Sequence, residues 1–202
     1  MLVQDNPESW PVSATEPLLK HWLISVRSDK VQLPDKNYAE RTVVSHPGAV
    51  AVLALDEASR VLMIRQYRHP VGYQLWEIPA GLRDVDGEPL LATAQRELRE
   101  ETGYQAREWR VLLDTFSSPG FTTERIRLFL ARGVSPADDS SYQRHDEEKF
   151  LVTHWVPLAE AVRLALAGKL HNAQTIAGVL AAHAAQADGF AALRPADAPE
   201  EA

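Results

Sequence analysis

The chain has 202 residues, of which 45% are hydrophobic and 24% charged. That balance excludes wholesale disorder, and the length suits one ordinary core that takes roughly 70% of the unfolded chain's surface out of water. The formal net charge of −7, with no stripe of Lys and Arg, argues against nucleic acid as a partner. No run approaches the ~18 apolar residues of a membrane span, and the first residues lack a basic segment followed by an apolar one. No membrane partner is therefore expected, and cytoplasmic residence is the default expectation. The chain has no cysteine, which excludes disulfides, thiolate metal sites and cysteine nucleophiles. A phosphate-bearing substrate would need clustered arginines or bound cations to offset the acidic field locally.

Residues 1–19 are polar and Pro-rich and read as extended or loosely ordered. His21 to Val26 and Val31 to Leu33 read as short strands around the turn formers Ser28-Asp29-Lys30, and Arg41 to Val44 resumes β-branched character. Ala49 to Leu55 is a continuous apolar run of strand length, the mark of a buried central strand. Asp56 to Ser59 turns the chain into a second strand, Val61 to Tyr67. Tyr73 to Ile78 follows a loop and ends at Pro79-Ala80-Gly81. Pro89 to Thr102 predicts a helix, with Pro89 in its first turn and Gly103 just past its end. Trp109 to Phe116 and Ile126 to Ala131 predict two more strands around Ser117-Ser118-Pro119-Gly120. After a polar loop to Lys149 come a strand (Phe150 to Val156), a helix from Pro157 to about Leu166 and an Ala-rich helix, Asn172 to Ala185. The tail from Gly189 reads as frayed. Strands and helices mix without βαβ alternation, which predicts an α+β chain or a mixed sheet with helices on both faces.

The helix over 89–102 carries an internal contradiction. On a wheel at about 100° per residue, Leu90, Leu91, Ala94 and Leu98 form an apolar arc about 100° wide. Glu101 falls inside that arc, and Glu97 lies at its edge, about 40° away. Glu100 lies further round. Like charges at this spacing repel, anions at a helix C-terminus oppose the dipole, and desolvating an unpaired carboxylate costs more than either. A divalent cation would reverse all three, and hard carboxylate oxygens suit magnesium or manganese. A solvated acidic helix end, paired with Arg96, Arg99 or Arg107, satisfies the same residues and stays open at this point.

The segment resembles the Nudix hydrolase signature, G-x5-E-x7-R-E-U-x-E-E-x-G-U with U bulky and apolar. Glu88, seven intervening residues, then Arg96-Glu97-Leu98-x-Glu100-Glu101-x-Gly103 all match it. Two departures stand out: six residues rather than five separate Gly81 from Glu88, and Tyr104 holds the last apolar position. Gln66-Tyr67-Arg68, Trp76-Glu77-Ile78-Pro79-Ala80-Gly81 and Ser118-Pro119-Gly120-Phe121-Thr122-x-Glu124 are similar to the ADP-ribose pyrophosphatase branch, with Pro119 standing 16 residues after Gly103.

The resemblance implies an α/β/α sandwich, with a mixed sheet between helices, and a small N-terminal β domain exchanged in a homodimer. The implied divisions are residues 1–46, a catalytic domain over 47–186 and a flexible tail over 187–202. It implies magnesium, or manganese, held by Glu97 and Glu101 with Glu100 in support and the Ala80 carbonyl as a further ligand. Arg96 and Glu88 would order the loop and helix. Arg68, with Arg41, Trp76 and Pro119, would contact a small nucleotide diphosphate substrate, and Tyr73 and Trp76 are the candidates for stacking on a base. The catalytic base would come from the loop Arg144-His-Asp-Glu147-Glu148-Lys149, with Glu148 favoured over Glu147. A metal-ligating box glutamate is a poor base, because its lone pairs are engaged.

The expected activity is hydrolysis of ADP-ribose to AMP and ribose 5-phosphate. Another nucleotide sugar, such as GDP-mannose or ADP-glucose, is the neighbouring reading. A catalytically silent ADP-ribose sensor would be expected to lose box acids that this chain keeps, and a cleaner of oxidised nucleoside triphosphates would need no N-terminal extension. The seven histidines show no paired metal spacing, and no G-x4-G-K-[S/T] loop is present.

Overall fold

The computed structural model describes residues 3–138 and 150–200. The chain divides into two compact units. One runs to Gly48 and takes in Phe116–Arg125, and the other holds Ala49–Thr115 and Ile126–Ala198.

The smaller unit is built on an antiparallel meander of β1 (Val12–Lys20), β2 (Ser25–Gln32) and β3 (Tyr38–Ser45). Two expectations change here. Val12–Lys20 is a strand rather than a loose lead: its backbone pairs along β2 from Val12↔Val31 to Lys20↔Ser25, with register shifts between Val12 and Ala14 and between Pro17 and Leu19. Ser28-Asp29-Lys30 lies inside β2 instead of turning the chain. Asp29 is satisfied within the sheet, accepting from Thr15 Oγ1 at 2.8 Å and Arg27 Nε at 2.9 Å. The turn falls instead at Pro34–Asn37, where Lys36 takes φ 71° and Asp35 Oδ1 accepts from the Asn37 amide at 3.0 Å.

After the meander the chain runs through β4 (Ala49–Leu55), β5 (Arg60–Arg68), β6 (Tyr73–Glu77), β7 (Ala80–Leu82), α1 (Leu90–Thr102), β8 (Tyr104–Gln105), β9 (Glu108–Phe116) and β10 (Arg125–Arg132), all in the larger unit except Phe116 and Arg125. It continues with β11 (Ser135–Pro136), β12 (Val152–Pro157), α2 (Leu158–Leu166), α3 (Ala173–Ala185) and β13 (Arg194–Pro195). The main sheet has eight strands in the order β12-β5-β4-β10-β9-β13, with β6 on β5 and β7 on β4. It is mixed, since β4 and β10 run parallel and β4 and β5 antiparallel.

The apolar run of β4 is explained by its burial on both faces. Ala51, Leu53 and Leu55 pack with Leu158, Ala161, Val179 and Ala182 of α2 and α3. The alternate residues Val50, Val52 and Ala54 pack with Ala94 and Leu98 of α1 and with Phe129. The result is helix on sheet on helix, the layered mixed fold expected. No helix among the described residues is long and apolar enough to cross a membrane.

The ends of the elements follow local chemistry. Pro89 is the N-cap of α1 rather than a first-turn residue, and Gly103 closes the helix at φ 75° with its amide on the Arg99 carbonyl. Asn172 caps α3, its side chain accepting from the Thr175 amide at 2.8 Å. Pro79-Ala80-Gly81 does not simply end a strand: after a break at Ile78–Pro79 the chain re-forms as β7 and pairs Ala80 with Ala51. The flexible tail expected from 187 is docked as far as Ala198. Phe190 is buried, Arg194 pairs opposite Val111 and bonds Asp114 at 2.8 Å, and Arg127 donates to the Ala198 carbonyl at 2.5 Å.

Candidate active site

The segment from Glu77 to Leu82 runs alongside the last turns of α1 and is tied down residue by residue. The Ile78 amide donates to Thr175 Oγ1 at 2.9 Å, and the Pro79 carbonyl accepts from the Val52 amide at 2.8 Å. The Ala80 amide donates to Glu101 Oε2 at 2.9 Å. Gly81 lies against the Glu97 side chain so closely that a Cβ there would collide with it. The segment is thus held by α3, by β4 and by Glu101, with Glu97 packed against Gly81.

Those carboxylates are buried, as the wheel implies. Glu97 is 9% exposed and Glu101 6%. Arg96 gathers the surrounding acids: Nη1 lies 2.6 Å from Glu97 Oε1 and 3.1 Å from Glu100 Oε2. Its Nη2 lies 3.2 Å from Glu88 Oε2 and 3.5 Å from Asp84 Oδ1. Thr93 Oγ1 fixes Glu88 from the other side at 2.9 Å. The paired-acid alternative is what these bonds show for Glu97 and Glu100, with Arg96 supplying the positive charge.

Burial pushes the Glu97 carboxyl up to about 7, with Glu100 adding to the rise and the Arg96 charge only partly offsetting it. The Arg96 hydrogen bond holds Glu88 below its ordinary value. Burial opposes the charged form of Arg96, but its bonds to Glu88 and the charges of Glu97 and Glu100 outweigh that and raise its pKa. A carboxyl held that high on a partly buried face is short of positive charge, and one guanidinium serves several acids. Among the described residues no three His, Asp or Glu side chains are already gathered around one point. The donor set is nonetheless all hard oxygen, which fits a magnesium-like divalent ion.

Arg68, at the end of β5, donates through Nε to Glu77 Oε1 at 3.0 Å and through Nη2 to Glu77 Oε2 at 2.7 Å. Trp76 is half-buried against the core, with the Arg65 guanidinium 5.6 Å from its ring centroid and the His154 ring at 6.1 Å. Tyr73 is exposed beside His171. Arg41 and Pro119 belong to the smaller unit. Arg41 is exposed on β3 and donates to the Glu40 carbonyl at 2.9 Å, and Pro119 lies in the turn where the Phe121 amide bonds the Ser118 carbonyl. Glu147 and Glu148 lie outside the described residues.

Four contributors had no role in the sequence reading: Glu77, Asp84, Thr175 and the packing of Gly81. A signal existed for Glu77, a lone charge in the run Leu75-Trp76-Glu77-Ile78. None existed for Thr175, which reaches Ile78 across 97 residues of sequence.

Known proteins resemble this chain in sequence and in fold. The NUDIX domain model matches residues 45–178. An ADP-ribose pyrophosphatase of Mycobacterium tuberculosis is 46% identical over 175 residues, 87% of this chain and 83% of its own. A second ADP-ribose pyrophosphatase, from Bacillus subtilis, is 35% identical over 162 residues, 80% of this chain and 86% of its own. Among solved structures, a crystal structure of an ADP compounds hydrolase matches with a TM-score of 0.75 at 17% identity, over 92% of this chain and 99% of that one, which shows the shared fold. Enzymes of this kind generally use divalent metal ions, and the buried glutamates of α1 stand within the matched span: the chain belongs to the Nudix hydrolase family.

Proposed function

We propose that this protein is a magnesium-dependent pyrophosphatase that hydrolyses ADP-ribose to AMP and ribose 5-phosphate. The observation that carries this reading is the pair of buried carboxylates, Glu97 and Glu101, facing Gly81 and the Ala80 amide, in a chain 46% identical to an ADP-ribose pyrophosphatase. Glu97, Glu101 and Glu100 would hold the metal, with the Ala80 carbonyl as a further ligand. Manganese has the same oxygen preference.

Bound magnesium would make a water more acidic and neutralise charge developing on the diphosphate oxygens. The chain's own residues do the rest. Arg68 binds the diphosphate and sets its orientation, and Arg41, Trp76 and Pro119 are further substrate contacts. Glu148, or its neighbour Glu147, accepts the proton of the attacking water. The water oxygen adds to one phosphorus, and the bridging P–O bond breaks. Each product leaves as a phosphate monoester.

Arg96 orders the site by joining Glu88 on the loop to Glu97 and Glu100 on the helix. The small β unit would be exchanged in a homodimer, which is supported by the exposure of all nine residues of β1. The lack of cysteine suits a reducing cytoplasm.

The test is a panel of initial rates on ADP-ribose, GDP-mannose, ADP-glucose, NADH and 8-oxo-dGTP, with magnesium and with EDTA. The highest kcat/KM on ADP-ribose, AMP as product and abolition by EDTA are the expected results. A preference for another diphosphate sugar would keep the chemistry and replace the substrate. Binding without turnover would identify a sensor. Sedimentation of a fully active monomer would remove the exchanged dimer, and Glu148→Gln with unchanged kcat would remove that residue as the base.

A further inference from the structure

Glu77 is among the most completely buried charged residues described, 1% exposed, and the mechanism above leaves it without a task. We propose that Glu77 is a positioning residue: it fixes the guanidinium of Arg68 in the orientation that receives the substrate's diphosphate. This rests on the assignment of Arg68 to the diphosphate given above.

Glu77 closes β6 opposite Ile64, itself fully buried, and it sits between the apolar Trp76 and Ile78. A carboxylate is costly in such a place, and an apolar residue of similar volume often serves stability as well or better. What Glu77 does supply is direction. Its two oxygens take Arg68 as a fork, Nε on Oε1 at 3.0 Å and Nη2 on Oε2 at 2.7 Å. Gln66, on the same face of β5, adds a longer contact to Oε2 at 3.4 Å.

The pairing is asymmetric in exposure. The carboxylate side chain is 2% exposed and the arginine side chain 44%. A rigid buried anchor therefore holds one edge of a guanidinium whose body still reaches solvent. An arginine left alone would lose rotamer freedom each time it bound an anion. Fixed by a two-point fork, it loses that freedom on folding, and its charge meets the diphosphate already oriented. Lysine could not be held this way, because an ammonium has no fork.

The experiment is a double-mutant cycle on ADP-ribose hydrolysis with wild type, Glu77→Gln, Arg68→Ala and the double variant, with thermal melts alongside. Glu77→Gln keeps the shape and removes the charge. It should raise KM about tenfold with kcat within about twofold. Arg68→Ala should raise KM at least as much, and adding Glu77→Gln to it should cost nothing further. A residue that only props up the hairpin would cost the same in both backgrounds, and that result overturns the proposal. So does an unchanged KM for Glu77→Gln when Arg68→Ala raises it, which leaves the Arg68 assignment standing. An unchanged KM for Arg68→Ala removes the assignment and the proposal together. If Glu77→Gln does not fold, Glu77→Asp, which keeps the charge but shortens the fork, takes its place in the cycle with the same expectations.

Discussion

Glu97 lies against the backbone of Gly81: a Cβ at position 81 would stand 1.9 Å from Glu97 Cδ and 2.2 Å from its Oε1. Gly81 is not among the residues of positive φ, so the need for glycine here is close approach, not backbone strain. Gly81→Ala must push the Glu97 carboxylate away, and displacement of about 1 Å can cost 10²-fold in rate. The expected outcome is a loss of about that size in kcat, with little change in circular dichroism. Near-normal turnover would mean that Glu97 has slack this structure does not show.

Burial that pushes the Glu97 carboxyl up to about 7 opposes its charged form, which the proposed cation would favour. Glu97→Gln should therefore separate function from stability. Activity should fall by at least about 10³-fold, as expected for loss of a metal ligand. The melting temperature in EDTA should equal that of the wild type or exceed it by about 2–4 °C, the shift that 1 kcal/mol produces at this size. A clearly lower melting temperature would show that the bond to Arg96 outweighs the burial of the charge.

Some of this was legible beforehand, for identifiable reasons. The β4 run, the α1 helix with Gly103 at its end and the inward turn of Glu101 are consequences of local periodicity, which sequence displays directly. The strand through Ser28-Asp29-Lys30 was not legible, because Asp29 is satisfied by Thr15 on a neighbouring strand. The docked tail escaped for the same reason: its anchor, Asp114, is 80 residues from Arg194. At the site, the acids were readable from their spacing, whereas the fit of Gly81 under Glu97 and the bond of Thr175 to Ile78 exist only once helices and sheet are stacked.

That last bond makes a prediction of its own. Thr175 is fully buried; its hydroxyl accepts from the Ile78 amide and donates to Asn172 Oδ1 at 2.9 Å. Thr175→Val keeps the volume and leaves the Ile78 N–H without an acceptor, at a cost of about 1–3 kcal/mol. Urea denaturation should show that loss with an unchanged m-value. Turnover should fall only severalfold, since the β4 and Glu101 bonds still hold Pro79 and Ala80. Stability equal to wild type would mean that the amide finds another acceptor.

Asp114 on β9 joins β10 to the docked tail through two arginines. It accepts from Arg127 Nε at 2.7 Å and Nη2 at 2.9 Å and from Arg194 Nη2 at 2.8 Å. Burial alone would raise its pKa, but the hydrogen bonds from Arg127 and then Arg194, with their charges, outweigh it and hold the carboxyl below 3.8. Because the folded value is depressed, the unfolded chain takes up the proton first. The stabilisation is present above the unfolded value of 3.8 and is lost as pH falls toward and through the folded one. Asp114→Asn should cost about 3 kcal/mol at neutral pH, since it removes the carboxylate that faces the buried charge of Arg127. It should also flatten the decline of stability between about pH 5 and pH 3. Denaturation curves of both proteins across that range test the assignment, and parallel pH profiles would show that Arg127 and Arg194 hold the tail without depending on the Asp114 charge.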